Sequence, residues 1–275
     1  MTELDLTQGV LMGIVNVTPD SFSDGGVFVD PDKAIAHGLR LVSEGALLID
    51  VGGESTRPGA EPVPAEVEKA RVMPVIEGLV AEGVVVSVDT YKPVVAEAAL
   101  NAGAQVVNDV TGCRSDGMVR LVSDANCAVV VMHMQGTPVD MHTDPIYSDV
   151  VSEVEVFLLA ATERLLDAGV VGSQIAIDPG IGFGKRSGHN LSLIAGLARL
   201  ADLGFPVVLG ASRKGFLGAT VGISDRYDRD LATAVTTAIG FASGVRVFRV
   251  HDIVSSIQAL KIAYAVHAAH PTNTT

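Results

Sequence analysis

Short runs rich in Val, Ile and Leu alternate along the chain with longer stretches in which apolar residues recur every three to four positions. The short runs predict strands over residues 10–17, 47–51, 84–88, 105–108, 128–132, 174–177, 206–209 and 245–250. The longer stretches predict helices over 32–44, 64–82, 92–101, 117–125, 147–168, 189–203, 229–242 and 253–267. SEGA, AEGV, NAGA, DAGV, DLGF and ASGV each place a glycine just past a predicted helix, where a left-handed residue ends it. Eight β/α units predict an α/β fold, a single-domain (β/α)8 TIM barrel over residues 1–275 with a short polar tail at 271–275. An open doubly wound sheet is the competing architecture, but its GxGxxG turn has no counterpart in GIVNVTPDSF, and no charge run or Ser/Pro linker divides the chain.

Polar residues gather at the C-terminal ends of these strands, where barrel enzymes build their sites. In strand order they are Asn16; Glu54 to Arg57; Asp89; Asn108 with Asp109; His133; Asp178; Ser212 to Lys214; and Arg249 with His251 and Asp252. The opposite ends are almost free of reactive groups. Residues 18–28 and 52–62 are Gly- and Pro-rich and long for βα connections, which suits lids that close over substrate. DPGIGFGK at 178–185 lacks the GxxxxGK[ST] spacing of a phosphate loop, and no GxSxG elbow supports a hydrolase.

Composition narrows the partners. Hydrophobic residues make up 48% of the chain and aromatics only 4%, so aliphatic side chains must fill the core. A formal net charge of −13 argues against a nucleic-acid or anionic-membrane surface, and an anionic ligand needs a local basic cluster instead. Cys113 and Cys127 have neither CxxC nor zinc-ligand spacing, which favours the reducing cytoplasm. The N-terminal residues carry acids, and no uncharged apolar run reaches membrane-spanning length, so a soluble, unexported protein is expected.

Two half-sites follow from the residue types. Arg57, Lys214, Arg249 and His251 suit a phosphate or diphosphate, with Asn16 a neutral oxygen able to help hold Mg2+. A bland alternative pairs Arg57 and Arg249 with Glu54 and Asp252. Asp89, Asn108 and Asp178 set two carboxylates and an amide at buried strand ends, matching the edge of a flat nitrogen heterocycle with adjacent N–H and NH2 groups, and Lys214 can complete that edge. Here the bland alternative is capping, since Asp178-Pro179 resembles a helix cap.

NVTPDSFSDGG at 16–26, GGESTRPGA at 52–60, SVDTYKP at 87–93, NDV at 108–110, DPGIGFGK at 178–185, GASRK at 210–214 and RVHD at 249–252 strongly resemble the dihydropteroate synthase family, in its order from first strand to last. The resemblance implies that 6-hydroxymethyl-7,8-dihydropterin diphosphate condenses with 4-aminobenzoate. It implies a pterin pocket of Asp89, Asn108, Asp178 and Lys214 lined by Met132, Phe183 and Gly210, a Mg2+ position at Asn16, and diphosphate contacts from Arg57, Arg249 and His251. Phe22, Thr56, Pro58 and Ser212 would face the aminobenzoate, and Gly215 stands where Ser or Arg is frequent, leaving its carboxylate to backbone N–H groups. A homodimer through late helices such as 229–242 and 253–267 and sensitivity to sulfonamides are further implications. The expected chemistry is an SN1-like loss of diphosphate, with Asp89, Asp178, Lys214 and Arg57 as the catalytic set. A pterin-dependent methyltransferase, a Schiff-base aldolase using Lys214 and a catalytically silent pterin-binding paralogue are the alternatives.

Overall fold

The computed structural model describes residues 4–18, 30–55, 60–137, 139–141 and 143–269. Strands β1 (Val10–Asn16), β2 (Leu48–Gly52), β3 (Val85–Asp89), β4 (Val106–Asp109), β5 (Ala128–Met132), β6 (Ile175–Asp178), β7 (Val208–Leu209) and β8 (Val247–Val250) form one sheet. All neighbours are parallel, in the order β6-β5-β4-β3-β2-β1-β8-β7. A parallel bridge from Ile177 to Val207, with Ile177 N donating to Pro206 O at 2.9 Å, joins the two remaining edges and brings the sheet round into a barrel.

The period of two along each strand sorts the core into two shells. Val10, Met12, Leu48, Val106, Val130, Val208 and Val247 meet as an apolar plug inside the barrel. Their neighbours in sequence, among them Leu11, Ile49, Val107, Val129, Val131, Val207 and Phe248, point outward into the larger core under the helices. One layer above the plug the inward positions turn polar: Asp50, Ser87, Asp89, Asn108, Asp178 and Arg249 continue the parity of Leu48, Val85, Val106, Ala176 and Val247. A ring of polar side chains is thus seated on a dry floor, at the C-terminal mouth.

The helices are α1 (Pro31–Glu44), α2 (Ala65–Ala81), α3 (Pro93–Asn101), α4 (Asp116–Ala125), α5 (Val150–Asp167), α6 (Ser187–Ala195), α7 (Leu197–Ala201), α8 (Gly215–Val221), α9 (Asp230–Ala242) and α10 (Ile253–Ala268). Their ends follow local chemistry: Asp30 accepts from the N–H groups of Asp32 and Lys33 ahead of Pro31, and Asp149 from those of Val151 and Ser152. The six glycines expected as stops all have left-handed φ, between 75° and 118°.

Two elements differ from expectation. The helix predicted over 189–203 is broken at Gly196, where a Cβ would stand 2.9 Å from both methyls of Val151; α5 lies too close for any side chain there. Helix α8 was hidden by its two glycines, of which Gly218 is obligatory, since a Cβ would come 2.3 Å from Ile223 O. Among the described residues no helix is long and apolar enough to cross a membrane, and both cysteines are buried and free.

Candidate active site

At the barrel mouth β2, β3, β4 and β8 build one charged network. Arg249 Nε donates to Asp50 Oδ2 at 2.6 Å, and its NH2 group to Asp89 Oδ2 at 2.7 Å. Asp50 also accepts from Asn108 Nδ2 at 3.0 Å and Ser87 Oγ at 2.6 Å. Gly52, beside Asp89 in register, leaves the room this crowding needs: a Cβ there would sit 3.3 Å from Asp89 Cβ. Two carboxylates share one guanidinium, so the charges do not balance locally. Burial, with Asp50 close by, raises the Asp89 carboxyl to about 7 despite Arg249. Burial works against the Arg249 charge, but Asp50 and Asp89 outweigh it and hold the guanidinium firmly protonated.

Across the mouth, β6 delivers Asp178. Its Oδ1 accepts from Gly180 N at 2.6 Å, so capping of the local turn accounts for one oxygen of this carboxylate. Burial raises its pKa, while Lys214 and the Gly180 N–H lower it. Gly210 lies alongside this carboxylate, its Cβ position 3.7 Å from Asp178 Oδ2, an ordinary van der Waals distance. Lys214 donates to Ile181 O and stands 4.5 Å over the Phe183 ring. Burial pulls its pKa down to about 8, against the pull of Asp178. Met132, opposite Asp178 in register, packs with Val110, Met134, Met141, Tyr91 and Phe183 as the apolar wall.

The run DPGIGFGK wraps its carbonyls around lysine amines. Left-handed glycines at 180, 182 and 184 alternate with ordinary residues and turn carbonyls inward. Lys185 Nζ donates to Gly180 O and Phe183 O, both at 2.9 Å, and to His133 O at 3.3 Å, with His133 Nδ1 at 2.9 Å. Gly180 is irreplaceable in this arrangement, since a Cβ would fall 1.8 Å from His133 O. His133 itself is an internal strut: burial, then Lys185 and Arg114, lower its pKa to about 3, and its ring meets Phe157 edge-on at 4.9 Å.

On the β7–β8 side Ser212 Oγ accepts from His251 N at 3.0 Å and lies 2.9 Å from His251 Nδ1. The sequence placed Ser212 on the aminobenzoate side and His251 on the diphosphate side; the fold joins them. Arg249, expected among the diphosphate ligands, reaches back to Asp50 and Asp89. It does not pair with Asp252, which instead accepts from Ser255 N to cap α10. Glu54 accepts from Val63 N at 2.9 Å, from Tyr91 Oη at 2.9 Å and from Lys92, which also pairs with Glu68. Asn16, half-buried at the end of β1, stands opposite Gly52 in register. Phe22, Thr56, Arg57, Pro58 and the tail at 271–275 lie outside the described residues, as do most of the first expected lid and the centre of the second.

The fold therefore brings Asp89, Asn108, Asp178, Lys214, Met132, Phe183 and Gly210 into one mouth, and adds Asp50, Ser87 and Lys185, which sequence reasoning missed. Asp50 carried a legible signal: it is a charge inside an apolar strand, on the parity that continues the barrel interior.

Residues 12–251 match the family described as pterin binding enzymes. The chain is 46% identical over 266 residues to the dihydropteroate synthase of Mycobacterium leprae, covering 94% of each chain. It superposes with a TM-score of 0.91 on the Xanthomonas albilineans dihydropteroate synthase solved with 4-aminobenzoic acid, at 46% identity over 97% of this chain and 96% of that one. The same enzyme in complex with 7,8-dihydropteroate gives 0.88 at 43% identity and the same coverage. A sulfonamide drug complex of the Yersinia pestis dihydropteroate synthase gives 0.91 at 38% identity over 97% of both chains.

Proposed function

The chain belongs to the pterin-binding enzyme family, among its dihydropteroate synthases, and from that premise we propose how its residues divide the reaction. The substrates are 6-hydroxymethyl-7,8-dihydropterin diphosphate and 4-aminobenzoate; the products are 7,8-dihydropteroate and diphosphate. One constellation carries this assignment: Asp89, Asn108 and Asp178 at strand ends above an apolar floor, with Lys214 beside them and Met132 and Phe183 as wall. Carboxylates accept from the N–H and NH2 groups of the pterin edge, the amide both donates and accepts, and Lys214 donates to a ring nitrogen or carbonyl.

The bond from the pterin methylene carbon to the diphosphate oxygen breaks with its electron pair leaving on diphosphate, and the aminobenzoate nitrogen then bonds to that carbon and loses a proton. Positive charge on the pterin spreads through the ring and is favoured by the fixed carboxylates of Asp89 and Asp178. An arylamine is already neutral at pH 7, so no strong base is required. Arg57, Arg249 and His251 take the leaving diphosphate, and Phe22, Thr56, Pro58 and Ser212 take the aminobenzoate. Among the described residues no group of three or more His, Cys, Asp or Glu side chains can hold a metal ion. Asn16 offers a single neutral oxygen, a donor set that fits Mg2+ arriving with its waters and the diphosphate oxygens, not a resident ion. When bound, it supplies charge neutralisation to the diphosphate.

The pH dependence of pterin binding tests the constellation. With Asp89 raised to about 7 and Lys214 lowered to about 8, affinity is expected to rise as pH climbs through the first value and Asp89 becomes an acceptor. It is expected to fall above the second, as Lys214 loses its proton. Asp89→Asn removes the acid limb and keeps the alkaline one. Calorimetric titration with the dihydropterin diphosphate at intervals from about pH 5.5 to about pH 9.5 reads both limbs, and a flat profile contradicts the assignment.

A homodimer forms through α9 and α10. The support is an apolar stripe left outside: Leu231, Val235 and Ile239 on α9 and Ile262 and Val266 on α10 are 48–73% exposed on two helices that pack together. Light scattering is expected to give twice the 28.5 kDa of one chain, and Val235→Glu to give the monomer; an unchanged mass for both proteins refutes this interface. Two buried free thiols suit a cytoplasmic setting, and the unaltered STRPG run suits competition between sulfonamides and 4-aminobenzoate.

A further inference from the structure

Arg213 lies between two site residues, Ser212 and Lys214, and is held through both its side chain and its main chain. Its φ of 56° is left-handed, a conformation that side chains other than glycine rarely adopt. It turns the chain from β7 into α8, and Lys214, the next residue, caps that helix with extended backbone. Four contacts fix it from one short segment. Arg213 Nε and NH2 donate to the two oxygens of Asp230, each at 2.7 Å. Arg213 N donates to Thr233 Oγ1 at 3.1 Å, and Arg213 O accepts from Arg229 NH1 at 3.1 Å. The guanidinium also lies 5.1 Å over the Tyr227 ring. On one side of it Ser212 meets His251; on the other Lys214 meets Ile181 O and Phe183.

We infer that the Arg213–Asp230 fork is a positioning device for the synthase reaction: it holds residue 213 left-handed and thereby sets Ser212 and Lys214 against their partners. This rests on the synthase assignment above. A guanidinium fork on a carboxylate fixes orientation as well as distance, which a single hydrogen bond does not. Removing either partner lets residue 213 relax to negative φ, which rotates the peptides on both sides and moves Lys214 away from Asp178. Glycine at 213 removes the fork but also removes the reason for it, because glycine accepts positive φ without steric cost.

Steady-state kinetics of the full-length chain separate these effects. Asp230→Ala and Arg213→Ala are expected to lower kcat/KM for the dihydropterin diphosphate about tenfold or more, as displacement of a substrate-positioning group by about an ångström does. Arg213→Gly is expected to stay closer to wild type, and adding Asp230→Ala to it to change nothing further. If Arg213→Gly is as impaired as Arg213→Ala, or the double variant is worse than Arg213→Gly, the left-handed lock is wrong. A wild-type chain that makes no dihydropteroate overturns the synthase assignment instead. The urea midpoints of the same variants still decide the lock in that case, since it demands that Arg213→Gly exceed Arg213→Ala in stability.

Discussion

Replacing Arg249 by alanine is expected to damage the fold as well as the reaction, because it leaves Asp50 and Asp89 facing each other without their shared cation. Asp50 is fully buried and, among the described residues, keeps Asn108 and Ser87 as its remaining donors. Breaking a buried ion pair by removing one partner typically costs about 3–5 kcal/mol, and the partly open position of Arg249 at the mouth places this case near the lower end. Urea unfolding followed by circular dichroism reads the loss as a lower midpoint at unchanged slope. Adding Asp89→Asn to Arg249→Ala is expected to recover part of it by removing one of the two like charges. A loss below about 1 kcal/mol, the scale of an exposed pair, would mean that the network is solvated and that Arg249 serves the diphosphate alone.

The second large effect is on catalysis with little change in stability. Asp178→Asn keeps a carbonyl oxygen for the Gly180 N–H but turns an NH2 group toward the pterin edge, donor against donor. Loss of one charge-assisted hydrogen bond plus an unsatisfied buried group is worth about 3–4 kcal/mol together, or roughly 10²–10³ in kcat/KM for dihydropteroate formation. The effect is expected in both kcat and pterin affinity, since the same carboxylate binds the ring and favours its positive charge. Activity within about threefold of wild type would remove Asp178 from the pterin edge.

Much of this was legible in the sequence because barrels obey two short periods. The period of two in the strands and the six left-handed glycines that follow helices tell one end of the barrel from the other, and the mouth collects Asp89, Asn108, Asp178 and Lys214 from four different strand ends. What stayed hidden was pairing across the barrel. Arg249 lies 199 residues from Asp50 in sequence, and nothing local says that β8 and β2, each a neighbour of β1, direct these side chains into one network. Lys185 was missed for a related reason: its partners are backbone carbonyls, turned inward by glycines whose φ the sequence does not print. Helix α8 escaped because glycine ordinarily argues against a helix, whereas at 218 the closeness of Ile223 and Arg229 demands it.

The most direct test mixes the purified chain with Mg2+ and the dihydropterin diphosphate, with and without 4-aminobenzoate, and follows both diphosphate release and product mass. Formation of 7,8-dihydropteroate in step with diphosphate, only when the arylamine is present, is the predicted result. Pterin binding at the expected pH without any dihydropteroate, or diphosphate release indifferent to the arylamine, would contradict the division of labour assigned to these residues.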